Sequence, residues 1–430
     1  MFLCSATTGA GKTYLASAVA RELGIPTLVV CPKIAISQWK SVIRGMGVED
    51  KVIGVINPEN LTTSKRNPFY SHEEGWKGVT KGPALLVFDE MHRGCGGIYK
   101  LSAAKGRGSG NKQALMAARW VNPSTPDHKV LALTATPADS PMKMQALGYL
   151  MGFHSFTTSS FYDWCRRHGC SMQPRGGHAA FVFTRDRLRA RKIMADIRSD
   201  MGERFMSITP EEIPDFPEET REVVLVDLAK EDHEGLVQAY AEMPELMKNP
   251  SRDSMVKLLR LRQQAEFCKA SVLAKMAADA VEDGCSVFVC INFTDCRLRI
   301  QMELERAGIP FAAIYGGQPE KERQAGIAAF QENRIHVMVG MSSACGVALS
   351  LHDERHERPR VSLISPSYSA SELLQALGRI RRVGGTHATQ KIVLAAGSVE
   401  ERVARAVEDK IDNIGALVDE DLDRGKDNQR

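Results

Sequence analysis

Eight residues near the start of the chain, Ala6-Thr7-Thr8-Gly9-Ala10-Gly11-Lys12-Thr13, have the types and spacing to hold a polyphosphate. Glycines let the backbone of Thr8, Gly9, Ala10 and Gly11 curl so that its N–H groups face an anion. The start of a helix adds its positive dipole, Lys12 reaches the β and γ oxygens, and the Thr13 hydroxyl ligates Mg²⁺. The flanks have the required order. An apolar run, FLCSA, precedes the loop, and YLASAVARELG follows with Leu15, Ala18 and Val19 at helical spacing. The ligand this pattern calls for is ATP with Mg²⁺.

A second group, LLVFDEMH from Leu85 to His92, ends an apolar strand with two carboxylates and an imidazole. In phosphoryl transfer, positioning and charge neutralisation carry the rate. Asp89 is therefore the candidate to hold Mg²⁺ through water, and Glu90 to orient and deprotonate the attacking water. His92 is a candidate hydrogen-bond partner of a second lobe or of the γ-phosphate network. Thr134 and Thr136, in LTATP, offer hydroxyls that link the metal site to neighbouring backbone. Late in the chain, QALGRIRR sets Gln375, Arg379 and Arg382 at intervals of three to four residues, which predicts one helix face. Two guanidinium groups pointing one way suit the spreading charge of a γ-phosphoryl transition state.

The elements that must position these groups follow a βαβ rhythm. Short apolar runs begin at Phe2, Thr27, Val52, Leu85 and Val130, and a second set at Ser286, Phe311, His336, Val361 and Lys391. Runs of this kind separated by amphipathic stretches predict two similar α/β lobes in tandem, each a mostly parallel sheet with helices on both faces, the first carrying the P-loop. The expected boundaries are lobe one at 1–152, a helical insertion and linker at 153–267, lobe two at 268–416, and a charged flexible tail at 417–430. Gly94 to Gly110 reads as a mobile basic loop. Arg185, Arg187, Arg189, Arg191 and Lys192 make one strongly positive stretch, equally readable as a solvated helix face.

Composition narrows the class further. A net charge of +4 over 430 residues is slight, so a nucleic-acid site must come from local clusters. Ten cysteines without a secretory leader point to reduced thiols, and no apolar run is long enough to span a bilayer. An intracellular, cytoplasmic protein that meets no membrane is expected. Cys165, His168 and Cys170 fit no strong zinc pattern, and Trp39 is read as packing.

In motif order the chain resembles superfamily 2 helicases: AxxGxGKT at Ala6, CPKIAISQW at Cys31, DEMH at Asp89, TAT at Thr134 and QALGRIRR at Gln375. Alanine in place of the first loop glycine is shared by many helicase-like families. INPENL at Ile56, IPDFPEETREVVLVDL at Ile213, LRLRQQ at Leu259, IYGGQ at Ile314 with Arg323, SSACGVALSL at Ser342 and AGSVEERV at Ala396 are similar to the Swi/Snf-type branch of double-stranded DNA translocases. The resemblance covers nearly the whole chain and implies an α/β fold of two tandem RecA-like P-loop lobes. It implies nucleic-acid contacts near Lys33, Asn57, Gly316 and Ser343, a nucleotide contact at Gly346, and a monomeric motor on duplex DNA that need not part the strands. A strand-separating helicase of viral replication or recombination, and an ATP-gated clamp without turnover, are the rival readings. That family carries an adenine-gripping segment before the P-loop, whereas five residues precede Ala6 here, so a start further upstream is expected. The chain looks like a bare motor of bacterial or viral type.

Overall fold

A computed structural model of the chain describes residues 1–58, 60, 69–71, 75–76, 83–92, 128–155, 157–175, 178–228, 252–345, 349–367 and 369–418. The basic loop expected at Gly94–Gly110, the tail from residue 419 and Gly346 lie outside the described residues. The chain divides into two units, one of Met1–Met172, Phe181–Glu212 and Lys410–Arg430, the other of Gln173–Ala180 and Ile213–Asp409.

The first unit opens with β1 (Phe2–Ala6), α1 (Lys12–Leu23), β2 (Thr27–Val30), α2 (Ile36–Gly45) and β3 (Val52–Ile56). A short antiparallel pair, β4 (Tyr70–Ser71) and β5 (Gly75–Trp76), precedes β6 (Leu85–Asp89) and β7 (Lys129–Thr134). Then come α3 (Gln145–Met151), α4 (Thr158–Arg167), the paired strands β8 (Cys170–Arg175) and β9 (His178–Phe183), of which Gln173–Ala180 is assigned to the second unit, α5 (Arg187–Met201) and β10 (Phe205–Ile208). The main sheet has the order β10-β1-β7-β6-β2-β3 and is parallel throughout. Its inner strands are uninterrupted apolar runs because both faces are covered. Leu3, Leu28, Leu86, Phe88 and Val130 join Leu147, Phe161, Trp164, Met194 and Ile197 in one core.

The second unit repeats the plan. It contains β11 (Glu219–Val226), α6 (Arg252–Cys268), α7 (Ala270–Glu282), β12 (Ser286–Ile291), α8 (Thr294–Arg306), β13 (Phe311–Ile314), α9 (Glu320–Gln331) and β14 (Val337–Met341). After these come α10 (Ser342–Cys345), β15 (Arg360–Ile364), α11 (Ala370–Leu377), β16 (Ala388–Ala395) and α12 (Val399–Val418), whose residues from Lys410 onward belong to the first unit. The sheet order is β11-β16-β15-β12-β14-β13, again all parallel. Val287, Val289, Ile291, Val337, Val339 and Leu363 pack with Leu273, Ile300 and Leu304 of the covering helices. Two parallel-sheet α/β units, each with helices, make the tandem RecA-like architecture the sequence predicts.

Residues 153–267 hold strands as well as helices. Strand β10 lies beside β1 at one edge of the first sheet, and β11 lies beside β16 at one edge of the second. Among the described residues no helix is long and apolar enough to cross a membrane.

Candidate active site

Three adjacent strands of the first sheet, β1, β7 and β6, deliver the three chemical motifs to their carboxyl ends. The phosphate-loop candidate leaves β1 at Ala6 and enters α1 at Lys12. Gly9 and Gly11 have φ of 87° and 78°, a left-handed conformation open to glycine and strained for residues with a Cβ. The first turn of α1 carries no acidic side chain, so its dipole is left to an anion. Lys12 Nζ donates to the carbonyls of Ala6 at 2.8 Å and Thr7 at 3.1 Å, which folds the ammonium over the loop. Thr8, Ala10 and Thr13 are half-buried around it.

At the end of β6 the two carboxylates behave differently. Trp39 on α2 is 1% exposed, and its indole N–H donates to Asp89 Oδ2 at 2.8 Å. Burial, and then the charge of Glu90, raise the Asp89 carboxyl from 3.8 to about 6, against the opposite pull of Trp39 and Lys12. Glu90 sits in the left-handed region, φ 50°, at a cost of roughly 1–2 kcal/mol for a residue with a side chain. That turn carries its carboxylate off the strand, where it is 8% exposed and Oε2 accepts no hydrogen bond among the described residues.

His92 ties this turn to the next strand. Its Nδ1 lies 2.8 Å from Thr134 Oγ1 and 3.4 Å from Glu90 Oε2. The Thr134 hydroxyl also accepts the backbone N–H of Thr136 at 3.0 Å. These contacts join the turn after β6 to the loop after β7. These groups fit a magnesium-bound triphosphate. The left-handed glycines give phosphate oxygens a close approach, and Thr13 and Asp89 are the hard oxygen donors that Mg²⁺ takes alongside water. A divalent cation also relieves the repulsion that raises Asp89. Glu90 Oε2 is a buried acceptor with capacity for a water proton.

In the second unit the arginines converge, though not along one helix face. Helix α11 stops at Leu377, and Arg379 lies in the turn that follows. Arg379, 2% exposed, donates through Nη1 to the Leu349 carbonyl at 3.2 Å, and Arg382 donates through Nη2 to the same oxygen at 2.8 Å. Leu351 N–H returns a bond to the Arg379 carbonyl at 2.9 Å. A long-range loop, not the helical repeat, brings the two guanidinium groups together. Gln375 is buried on α11. Arg381 is committed elsewhere: its Nε donates to Pro217 O at 2.7 Å, it pairs with Glu219 at 3.2 Å and it stacks on Phe216.

The expected nucleic-acid residues occupy matching positions in the two sheets. Lys33, exposed, and Asn57, buried, follow the neighbouring strands β2 and β3. Gly316 and Ser343, both exposed, follow the neighbouring strands β13 and β14. Ser343 lies on the short α10, fastened at both ends. Ser342 Oγ donates to Asn292 Oδ1 at 3.0 Å, and Arg323 donates to Ala344 O at 3.0 Å. Asn292 is itself held by the buried Glu266, whose Oε2 accepts from its amide at 2.7 Å.

Sequence reasoning missed Trp39, Asn292 and the Leu349 carbonyl. The first had a signal, because a buried indole N–H requires an acceptor; the other two are tertiary contacts without a local one.

Residues 1–139 match the family described as Type III restriction enzyme, res subunit, and residues 268–384 match the Helicase conserved C-terminal domain. A protein of Acanthamoeba polyphaga mimivirus, provisionally named an ATP-dependent RNA helicase, is 28% identical over 474 aligned positions covering 99% of this chain and 81% of the relative. ATP-dependent helicase rhp16 of Schizosaccharomyces pombe (strain 972) is 32% identical over 133 residues, 30% of this chain and 15% of that protein.

Proposed function

We propose that this chain, a superfamily 2 helicase and ATP hydrolase, is a DNA-stimulated motor of the Swi/Snf type that moves along duplex DNA and displaces or remodels what is bound there. One observation carries the reading: Lys12, Thr134 with Thr136, and Asp89 with Glu90 stand at the carboxyl ends of three adjacent parallel strands, where ligands of such sheets bind. In this reading Lys12 and the loop hold the phosphates, Thr13 and Asp89 hold Mg²⁺, and Glu90 draws the proton from the attacking water. His92 and Thr134 fix the Glu90 turn, Arg379 and Arg382 supply positive charge to the γ-phosphate during turnover, and Gln375 offers an amide hydrogen bond beside them. The magnesium ion, when bound, neutralises charge developing on the phosphate oxygens. Lys33, Asn57, Gly316 and Ser343 contact the nucleic-acid backbone, and the motor acts as a monomer.

RNA is the second reading, because the mimivirus relative bears an RNA helicase name. Steady-state phosphate release with duplex DNA, single-stranded DNA and RNA separates the two. Duplex DNA is expected to stimulate most; stimulation by RNA alone overturns the DNA reading, and no stimulation by any nucleic acid overturns the motor. Triplex displacement without forked-duplex unwinding is the expected companion result, and unwinding of the fork would instead mark a strand-separating helicase.

A further inference from the structure

The arginine-rich stretch at residues 185–192 is absorbed by none of the roles above, and its place in the fold gives it one. Helix α5 begins at Arg187 and ends at Met201, with Asp186 capping it through a bond from Arg189 N–H at 3.0 Å. Its first turns carry Arg187, Arg189, Arg191 and Lys192 and no carboxylate, and its later turns carry Asp196 and Asp200 with one cation, Arg198. Four cations at the start of the helix run against its dipole, which favours cations at the C-terminal end and anions at the N-terminal end. Helix stability does not account for the charge pattern.

Neither does ion pairing. Arg187 is held by Asp412, its Nε donating at 2.7 Å. Arg185, Arg189, Arg191 and Lys192 have no carboxylate or hydrogen-bond partner for their side chains among the described residues. Arg185, Arg189 and Lys192 are exposed, and Leu188 between them is 78% exposed.

A further cation joins them from α4. Thr184 N–H donates to Gly169 O at 3.0 Å, which closes the end of α4 against the start of α5. Gly169 has φ of +75°, and a Cβ there would come within 2.5 Å of Ile193 Cδ1, so the two helices meet at a glycine-only contact. Arg167, exposed and without a partner among the described residues, sits beside that contact in the last turn of α4.

We propose that this corner of the first unit, centred on Arg167, Arg185, Arg189 and Lys192, is an additional contact for the sugar–phosphate backbone of nucleic acid, separate from the contacts at Lys33 and Asn57. Guanidinium groups suit it, because their paired donors match phosphate oxygens and their charge needs no burial. The phosphate backbone, a row of evenly spaced single charges, is the partner that rewards a row of unpaired cations through counterion release. The inference rests on the nucleic-acid motor reading.

The test is a triple variant, Arg185→Gln with Arg189→Gln and Lys192→Gln, compared with wild type in DNA binding across a salt series. For duplex DNA, each phosphate no longer neutralised should reduce the slope of log affinity against log salt by about 0.9, so the variant's slope should be shallower by roughly 2–3. Its affinity at 0.1 M salt should fall by roughly 10-fold or more. ATP turnover without nucleic acid should be unchanged, and the melting temperature no lower, because neutralising the start of α5 relieves the unfavourable dipole interaction. An unaltered slope in a folded variant overturns the inference and leaves the motor standing. Wild type that neither binds nor is stimulated by DNA or RNA overturns the motor itself. Loss of polyglutamate binding with an unaltered DNA slope would assign the corner to an acidic protein partner and overturn it equally.

Discussion

Replacing Asp89 with asparagine should leave the enzyme inert while making the nucleotide-free protein more stable. The carboxyl's value is raised from 3.8 to about 6, first by burial and then by Glu90. Over that window the folded chain holds a proton that the unfolded chain has released, so stability falls as pH rises through it and stays reduced above it. A rise of about 2 units corresponds to about 3 kcal/mol of penalty at pH 7.5, and asparagine escapes it while still accepting the Trp39 N–H. The gap between variant and wild type should shrink to about half by pH 5 and nearly close by pH 4. For a folding unit of this size, about 3 kcal/mol moves the melting temperature by roughly 5–10 °C. Thermal unfolding at pH 7.5, 5 and 4 measures the gap, and magnesium nucleotide added at pH 7.5 should stabilise wild type more than the variant. If Asp89→Asn melts no higher than wild type at pH 7.5, or keeps the same advantage at pH 4, the account of Asp89 as a destabilised metal ligand is wrong.

Trp39→Phe removes the donor to Asp89 Oδ2, and a hydrogen bond to a charged group contributes about 1.5–3 kcal/mol, so the Mg²⁺ needed for half-maximal phosphate release should rise about tenfold or more; an unchanged requirement rejects the role. Glu90→Gln should keep nucleotide binding and lose turnover by roughly 10²–10⁴-fold, read by nucleotide affinity beside phosphate release, and wild-type turnover in the variant would remove Glu90 as the base. Arg381→Ala should lower the stability of the second unit, because it breaks the contacts to Pro217, Glu219 and Phe216, and should leave turnover within a few-fold of wild type. Arg382→Ala should instead slow turnover by roughly 10³-fold or more, and equal losses in the two would undo the distinction. Burial and the charges of Arg382 and Arg360 hold His352 neutral down to about 4. Its stability contribution is therefore complete above 6.5 and lost as pH falls towards 4, up to about 3 kcal/mol. Chemical denaturation of His352→Asn should be flatter over that range than wild type, and a parallel pH dependence rejects it.

What the sequence could and could not disclose follows from where each contact's partner lies. Strands such as LLVFD and SVFVCI are legible because parallel strands covered on both faces need continuous apolar runs, and a run bounded by polar turns has few other readings. The edge strands are not. ETREVVLV has three charged residues in eight and leaves Val223 and Leu225 exposed, and FMSI is a four-residue run, so neither carries the pattern of an inner strand. Their membership is decided by the neighbours, β16 and β1. The same division holds at the site. Loop glycines and strand-end carboxylates announce themselves because their backbone and charge demands are local. The meeting of Arg379 and Arg382 depends on a carbonyl about thirty residues upstream, which no helical repeat encodes. Trp39 falls between the two cases. Its burial was readable and its need for an acceptor followed from the indole, yet the acceptor, Asp89, becomes identifiable only when β2 and β6 are seen to be neighbours. A carboxylate raised by its surroundings and a strained glutamate beside it are each unfavourable choices for stability alone, and a tryptophan commits its one donor to the first. Together at the carboxyl ends of one sheet, they suit the metal and phosphate chemistry proposed for this site.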